Sequence, residues 1–260
     1  MDDEPAARAD SVTFKLPVPP LEYRRLVGRP DEHFYDGSTP EPIFTGLDDN
    51  RFHNVLDFGC GAGRLAGDLM RRGARRYLGI DRHPNMIDWC RAHLSPLKPG
   101  FDFAHHDVFH PVFNPNGTPG HLPLPCDDRG VTLFIAISVF THLLEEDAAF
   151  YLRELGRVLA PEGTAITTWF LFDKGDFPMM QEFQNALMIN PCDLTNAVIF
   201  DRDWMIKTAS DADLLVTKIE PPSIRGFHWS IHFERRAPGR SSAAFPLDLA
   251  PPGLSRPPLS

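Results

Sequence analysis

Three glycines at alternate positions, Gly59, Gly61 and Gly63, follow a short apolar run that begins at Val55. Residues 65–70, which come next, have the composition of a helix. Glycines in a strand-to-helix turn let the backbone bend tightly and let a ligand approach without meeting a Cβ atom. The amides at the start of the helix supply donors and a partial positive charge for an anionic group. The stretch predicts a nucleotide-type cofactor site, and a glycine-rich turn without a ligand is the alternative.

The spacing of the glycines discriminates between cofactors. A dinucleotide fingerprint requires G-x-G-x-x-G, whose third glycine packs the helix against the strand. Here Arg64 occupies the place of that third glycine, and Asp57 stands two residues before the first one. An acidic residue followed by G-x-G-x-G resembles motif I of the class I S-adenosylmethionine-dependent methyltransferases. The resemblance implies S-adenosyl-L-methionine as the cofactor, with the glycine loop and Cys60 along its methionine part and Asp57 near its ammonium group.

A second carboxylate, Asp81, ends the next predicted strand, 18 residues beyond Gly63. In βαβ nucleotide-binding folds an acidic group meets the ribose hydroxyls at an offset of about 20 residues. A carboxylate suits that place because its two oxygens can accept from two vicinal hydroxyls. A helix N-cap is the alternative role, since Pro84 follows as if opening a helix. The resemblance also places Arg82 and Met86 at the cofactor, although core packing explains Met86 nearly as well.

A third acidic residue follows the strand predicted at residues 101–105. The resemblance implies that Asp107 accepts from the adenine amino group and that the backbone amide of Val108 meets the ring. The neighbouring His105 and His106 suggest a metal site instead, because histidine and carboxylate are ordinary metal ligands. Adjacent residues of an extended strand point to opposite faces, which disfavours both histidines as ligands of one ion. No metal is expected.

A near-continuous apolar run at residues 131–138 predicts a strand covered on both faces, as in a parallel sheet. It leads into the sequence S-V-F-T-H-L, which resembles the strand-four motif of bacterial small-molecule methyltransferases. Ligands of doubly wound sheets bind at the carboxyl ends of the strands, so Ser138 is expected at the cofactor and His142 beside the transferred methyl group. Because imidazole titrates near neutrality, His142 is the candidate catalytic base, and a helix start or cap is its alternative role. His228 and His33 are further candidates.

The elements that must position these residues alternate along the chain. Five predicted strands alternate with helices, and a last strand pair follows at residues 214–219 and 227–233. The second strand of that pair alternates between apolar and polar residues, as a half-buried antiparallel strand should. The order predicts an α/β fold, a Rossmann-like doubly wound sheet that is mostly parallel with an antiparallel last strand and helices on both faces.

Three segments flank or interrupt this predicted domain, which spans residues 51–236. Residues 1–50 are predicted to be a leader that either caps the cofactor mouth or covers the sheet edge. Residues 171–200 form an insertion, interpreted as a substrate lid, because a strand-to-helix connection usually has about 2–6 residues. Residues 237–260 are dense in Pro and Ser and are predicted to be disordered.

Composition limits the class of protein. The chain has 260 residues, 42% of them hydrophobic, which is enough for one substantial core. A formal net charge of −9 disfavours a broad nucleic-acid surface. The four cysteines lack C-x-x-C spacing, and neither a signal peptide nor a membrane-spanning apolar run is apparent. A cytoplasmic location without membrane contact is expected, and no feature indicates an oligomeric state.

The resemblance to the bacterial small-molecule methyltransferases implies a methyltransferase that acts on a small-molecule acceptor, with an oxygen of a bacterial metabolite or sugar as the preferred target. Methylation of nitrogen is the first alternative, because a neutral amine needs no base. A catalytically silent scaffold that binds the cofactor is the second. The complete set of Asp57, Asp81 and the glycines disfavours that second alternative.

Overall fold

The computed structural model describes residues 16–37, 40–224 and 227–246. Its strands are β1 (Asn54–Phe58), β2 (Arg76–Asp81), β3 (Phe101–His105), β4 (Val131–Ala136), β5 (Leu159–Phe172), β6 (Ala186–Met188), β7 (Val198–Asp201), β8 (Leu214–Ile224) and β9 (His228–Arg235). Its α-helices are α1 (Leu21–Leu26), α2 (Ala66–Arg71), α3 (Pro84–His93), α4 (Glu145–Val158) and α5 (Arg202–Asp211). In this described part of the chain, no helix is both long and apolar enough to cross a bilayer.

The central sheet has the strand order β3-β2-β1-β4-β5-β9-β8. The strands from β3 to β5 pair in parallel. β9 runs antiparallel to both of its neighbours, β5 and β8. The predicted Rossmann-like fold, mostly parallel with an antiparallel last strand, is confirmed.

Two apolar layers cover the sheet, because alternate residues of its central strands point to opposite faces. Leu56 and Phe134 face the layer formed with α4 and α5, whereas Val55 and Leu133 face the layer of α2 and α3. All four side chains are almost completely buried. Burial of a side chain of this size is worth about 1.5–3 kcal/mol, so the apolar strands fix the sheet between its helices.

The boundary between α4 and β5 differs from the expected one. Apolar residues at helical spacing in residues 145–160 and the Pro161-Glu162-Gly163 turn predict a helix to residue 160 and a strand from residue 164. In the structure α4 ends at Val158 and β5 begins directly at Leu159. Leu159 pairs with Val131, and the register then shifts before the pairing of Leu133 with Thr164. The Pro161-Glu162 pair is exposed on this irregularity, so the expected turn is accommodated as a bulge inside the strand.

The insertion at residues 171–200 contains a small sheet of its own. β6 and β7 form an antiparallel pair, and β7 pairs in parallel with the last residues of β5, from Phe170 to Phe172. Arg202 forms an ion pair with Asp173 where the insertion leaves and rejoins the domain. Several large apolar side chains remain exposed on the insertion, among them Met179 at 88% and Phe183 at 77%.

Segments outside the sheet pack onto it at both ends of the described chain. Tyr23 and Val27 of the leader pack against a buried cluster that contains Ala62 of the glycine loop. After β9, the amide of Ala243 donates to the carbonyl of Val216 at 2.8 Å, so residues 241–246 follow β8. The remaining part of the predicted disordered tail, residues 247–260, lies outside the described residues.

Candidate functional site

The glycine loop adopts a conformation that side chains disfavour. Gly59, Gly61 and Gly63 have φ angles of 79°, 53° and 75°, in the left-handed region where glycine has no steric penalty. A Cβ atom on each would also approach a neighbouring side chain too closely, namely Val139 at 2.4 Å, Val27 at 2.9 Å and Leu94 at 2.3 Å, respectively. The loop is therefore packed between the turn after β4, the leader and the end of α3.

Asp81 ties this loop to the carboxyl end of β2. One oxygen of its carboxylate accepts from the amide of Gly61 at 2.8 Å, and the other accepts from the amide of His83 at 2.8 Å. The N-cap of α3 is His83, so Asp81 does not have the alternative capping role. Each oxygen keeps a further lone pair, and these two acceptors fit a pair of ribose hydroxyls.

Asp57 is buried beneath the loop, with 2% of its surface exposed. Its carboxylate accepts a hydrogen bond from the hydroxyl of Tyr77 at 2.8 Å. Burial raises the pKa of Asp57 to about 7, against the opposing effects of Tyr77 and Arg64. Cys60 is buried as well, and burial raises the pKa of its thiol. The pocket thus has a carboxyl group that titrates near neutrality and a thiol that stays protonated.

Met86 belongs to the cluster beside the loop and is almost completely buried. Tyr35 of the leader lies in the same cluster. Glu41, also in the leader, forms an ion pair with Arg64, and both side chains are only 15% exposed. Arg64 therefore anchors the leader at the place where a dinucleotide-binding loop has its third glycine.

Asp107 and Val108 form part of a tight turn after β3. The carboxylate of Asp107 accepts from the amide group of Asn114 at 2.9 Å and from the hydroxyl of Thr118 at 3.1 Å. These bonds lower the pKa of Asp107. The backbone amide of Val108 donates to the carbonyl of His106 at 2.7 Å. Both groups already have partners within the turn, and their contact with adenine stays a prediction.

The histidines before this turn point to different partners. Nε2 of His105 lies 3.1 Å from the carbonyl of Arg82, and Nε2 of His106 lies 2.8 Å from the hydroxyl of Tyr151. No group of three or more potential metal ligands occurs among the residues that the structure describes.

Ser138 stands at the carboxyl end of β4 in a left-handed conformation, with φ of 58°. Its amide donates to the hydroxyl of Thr168 at 2.7 Å. Its own hydroxyl lies 3.2 Å from Nε2 of His228, a buried residue whose ring contacts Phe170 at a centroid distance of 4.7 Å. Because 90 residues separate Ser138 from His228, the sequence gives no sign of this contact.

His142 lies in a short 3₁₀ turn after β4. The N-cap of α4 is Leu144, so His142 does not cap that helix. Its Nδ1 lies 2.9 Å from the carbonyl of Thr195 in the insertion. A carbonyl only accepts, so Nδ1 carries the hydrogen and Nε2 of the neutral ring is an acceptor. Burial lowers the pKa of His142, and the hydrogen bond to Thr195 partly offsets this effect.

Known proteins resemble the part of the chain that contains these residues. Residues 55–163 match a protein-family model described as a methyltransferase domain. The chain is 28% identical over 125 residues to the methyltransferase GfsG of Streptomyces halstedii, an alignment that covers 47% of this chain and 40% of GfsG. It thus spans less than half the length of that curated relative.

Two solved structures share the fold. The PH0226 protein of Pyrococcus horikoshii OT3 has a TM-score of 0.55 at 17% identity, over 83% of this chain and 99% of that chain. NcsB1, described as an O-methyltransferase from neocarzinostatin biosynthesis in complex with S-adenosylmethionine and 2-hydroxy-5-methyl naphthoic acid, has a TM-score of 0.51 at 14% identity, over 75% of this chain and 52% of that chain.

Proposed function

We propose that this chain, which carries a class I S-adenosylmethionine-dependent methyltransferase domain at residues 55–163, methylates an oxygen atom of a small molecule. One observation carries the proposal. His142, a neutral histidine whose Nδ1 contacts the carbonyl of Thr195 in the insertion, follows β4 at the same edge of the sheet as the glycine loop.

The residues around the loop suit S-adenosylmethionine. Asp81 offers acceptor oxygens for the ribose, and the buried Asp57 offers a carboxylate for the ammonium group. The glycine loop, Met86 and Ser138 complete the proposed cofactor site, with Asp107 and Val108 at the adenine end. When bound, the cofactor supplies an electrophilic methyl group. The task of the chain is then to hold the acceptor oxygen in line, and such positioning is worth several kcal/mol, up to about 7–11.

His142 is the proposed base. Because burial lowers its pKa, the ring is neutral at physiological pH, and Nε2 is available to take the proton of an acceptor hydroxyl. A well-placed base contributes about 10²–10⁴-fold to the rate. The hydrogen bond from Nδ1 to Thr195 fixes the ring and its tautomer, and it connects the insertion to the base. This contact supports the insertion as the lid over the acceptor.

One of the similar proteins supports a small-molecule acceptor. NcsB1 is described as an O-methyltransferase with a hydroxylated naphthoic acid bound, whereas the name of GfsG states methyl transfer alone. An oxygen acceptor also gives the neutral imidazole of His142 a role, whereas a neutral amine would need no base.

Calorimetry and a labelled methyl-transfer assay test the proposal. S-adenosylmethionine and S-adenosylhomocysteine should bind, and NAD should not, because Arg64 and its partner Glu41 fill the place of the third fingerprint glycine. With isotopically labelled S-adenosylmethionine and a metabolite extract, mass spectrometry should detect a methylated hydroxyl compound.

His142→Ala should then lower kcat by about 10²-fold or more and leave cofactor affinity unchanged. His53→Ala, at an exposed histidine, is the matched control. Preferential binding of NAD would overturn the assignment of the cofactor. Full turnover by His142→Ala on a hydroxyl acceptor would remove His142 from the reaction.

A further inference from the structure

Arg82 directly follows Asp81 at the carboxyl end of β2, and its side chain is half-buried. Within the described residues, its guanidinium group has no ion pair and no hydrogen-bond acceptor. Its side-chain contact is with the ring of Phe113, 6.0 Å from Cζ to the ring centroid. Burial lowers the pKa of Arg82. A buried charge without a partner is costly, so the position is explained if an anion arrives from outside.

Three other buried or half-buried arginines in the described part of the chain form ion pairs with carboxylates. Arg24 pairs with Glu32, Arg64 pairs with Glu41, and Arg157 pairs with Glu154 and Asp128. The chain thus supplies carboxylates to arginines that serve its own packing. Arg82 differs from them in this respect.

The carboxylates nearest to Arg82 are already engaged. Asp81 accepts from two backbone amides. Asp147 pairs with His121 at 2.7 Å, and Asp193 accepts from the hydroxyl of Thr195 at 2.8 Å. All three raise the pKa of Arg82, but less than burial lowers it. None of them forms an ion pair with Arg82, and the guanidinium keeps its donors for a ligand.

A chain of contacts connects Arg82 to the proposed base. The ring of Phe113 stacks on His110 with centroids 4.7 Å apart. Nδ1 of His110 accepts from the amides of Val112 and Phe113, so its Nε2 carries the hydrogen, 3.3 Å from the hydroxyl of Thr195. The carbonyl of Thr195 in turn accepts from His142.

Three histidine rings near Arg82 are neutral at physiological pH. Burial, and after it neighbouring positive charges that include Arg82, lowers the pKa values of His106 and His110 to about 4. Burial also lowers the pKa of His142, and the positive charge of Arg82 contributes to this lowering. These three histidines therefore add no competing cation at physiological pH.

We propose that Arg82 binds a carboxylate group of the methyl acceptor, which makes the acceptor a hydroxy acid. This inference rests on the proposed function, since it assigns a substrate class to the same site. A guanidinium binds a carboxylate through two parallel N–H···O bonds, which fix both its position and its orientation. A hydroxy acid held in this way would present its hydroxyl group in a defined direction relative to His142.

The carboxylate of the cofactor itself is the other possible source of the anion. Asp81, the neighbour of Arg82, is the proposed ribose ligand and belongs to the nucleoside end of the cofactor. The amino-acid end is expected at Asp57 and the glycine loop. Among the described residues the side-chain contact of Arg82 is with Phe113, which leads through His110 and Thr195 to His142 and not to Asp57. These contacts favour the acceptor as the source, and the affinity of an Arg82 variant for S-adenosylhomocysteine distinguishes the two.

Acetate, the smallest stable carboxylate with an alkyl group, is the probe, because it needs no match to the rest of the acceptor. Binding of acetate is measured as the shift of the thermal denaturation midpoint between acetate and chloride buffers of equal ionic strength. The measurement is made with and without saturating S-adenosylhomocysteine. Arg82→Met removes the charge and keeps most of the apolar stem. Arg153→Met is the control, since Arg153 is exposed and lies 5.9 Å from the ring of Phe150.

The wild type and Arg153→Met should show a saturable stabilisation by acetate in the presence of S-adenosylhomocysteine. Arg82→Met should bind acetate about 10-fold more weakly or worse, because a charge-assisted hydrogen bond is lost. Arg82→Lys, which keeps the charge but loses the paired geometry, should give an intermediate response. Without ligand, Arg82→Met should be at least as stable as the wild type.

Equal responses to acetate in the wild type and Arg82→Met would overturn the proposal. So would a large loss of S-adenosylhomocysteine affinity in Arg82→Met, measured by calorimetry, because the guanidinium would then serve the cofactor. If the proposed function is wrong, the wild type will not bind S-adenosylhomocysteine. The stabilisation of the wild type and of Arg82→Met by acetate without S-adenosylhomocysteine then still tests whether Arg82 binds a carboxylate.

Discussion

The hydroxyl of Ser138 lies 3.2 Å from Nε2 of His228, a residue 90 positions later in the chain. Ser138 follows the end of β4, and His228 is the first residue of β9. The strand between them, β5, holds the amide of Ser138 through Thr168. A left-handed conformation costs a residue other than glycine about 1–2 kcal/mol, so the fold maintains a strained serine in contact with a buried histidine.

If Ser138 and His228 both line the cofactor site, the effects of their substitutions on cofactor affinity should not be additive. We expect Ser138→Ala and His228→Gln each to weaken S-adenosylmethionine binding by about 1 kcal/mol, the net worth of a typical hydrogen bond. The double variant should lose no more than either single one, which a double-mutant cycle measured by calorimetry would show. Additive losses would mean that the contact has no part in binding.

Gly61 offers a test that separates backbone strain from the ligand site. Gly61→Ala should lower stability by about 1–2 kcal/mol through its left-handed conformation, and it should also displace Val27 and weaken cofactor binding. Gly73→Ala is the control. Gly73 has φ of 79°, and an added Cβ atom there would meet nothing within 4 Å, so this variant introduces backbone strain without displacing a neighbour. Urea denaturation should show that Gly61→Ala is destabilised at least as much as Gly73→Ala. Calorimetry should show weaker cofactor binding in Gly61→Ala alone. Equal affinities would place the cofactor away from the loop.

Asp57 should make stability depend on pH in an unusual direction for a carboxyl group. Burial raises its pKa from 3.8 to about 7, so the folded chain binds a proton that the unfolded chain has released. Stability from this group is therefore present below the unfolded pKa and falls as pH rises from about 4 to about 7. Asp57→Asn removes this slope.

At pH 8 the Asp57→Asn variant should gain up to about 4 kcal/mol relative to wild type, since one pKa unit corresponds to about 1.4 kcal/mol. Urea denaturation at about pH 4 and pH 8 measures the difference, and a variant with the parent's slope would contradict it. An ammonium ligand favours the ionised carboxyl, so cofactor binding near pH 6 should release a proton. Calorimetry in buffers of different ionisation enthalpy should detect this release in wild type and not in Asp57→Asn.

The fold and the glycine loop could be predicted because their signals are local. Apolar strands such as β1 and β4 are read from consecutive residues, and the spacing of Gly59, Gly61 and Gly63 lies within five positions of the sequence. The same local pattern misplaced the start of β5, because a bulge depends on the partner strand and not on the turn residues alone.

The contacts that complete the site depend on pairings between distant segments. Ser138 meets His228 only because β9 lies beside β5 with Thr168 opposite Ser230. His142 meets Thr195 because the insertion forms its own strand pair and returns to the turn after β4. Neither contact is encoded in a short motif. The sequence therefore indicates Ser138 and His142 after β4 as candidate site residues but does not indicate their partners.

β5 is one continuous strand shared by two sheets. Up to Trp169 it pairs with β4 or β9, and from Phe170 to Phe172 it pairs with β7 of the insertion. The insertion therefore continues directly from the strand whose Thr168 hydroxyl accepts from the amide of Ser138. If the insertion covers the acceptor, as proposed, binding of the acceptor and alignment of the cofactor are coupled through the backbone of β5.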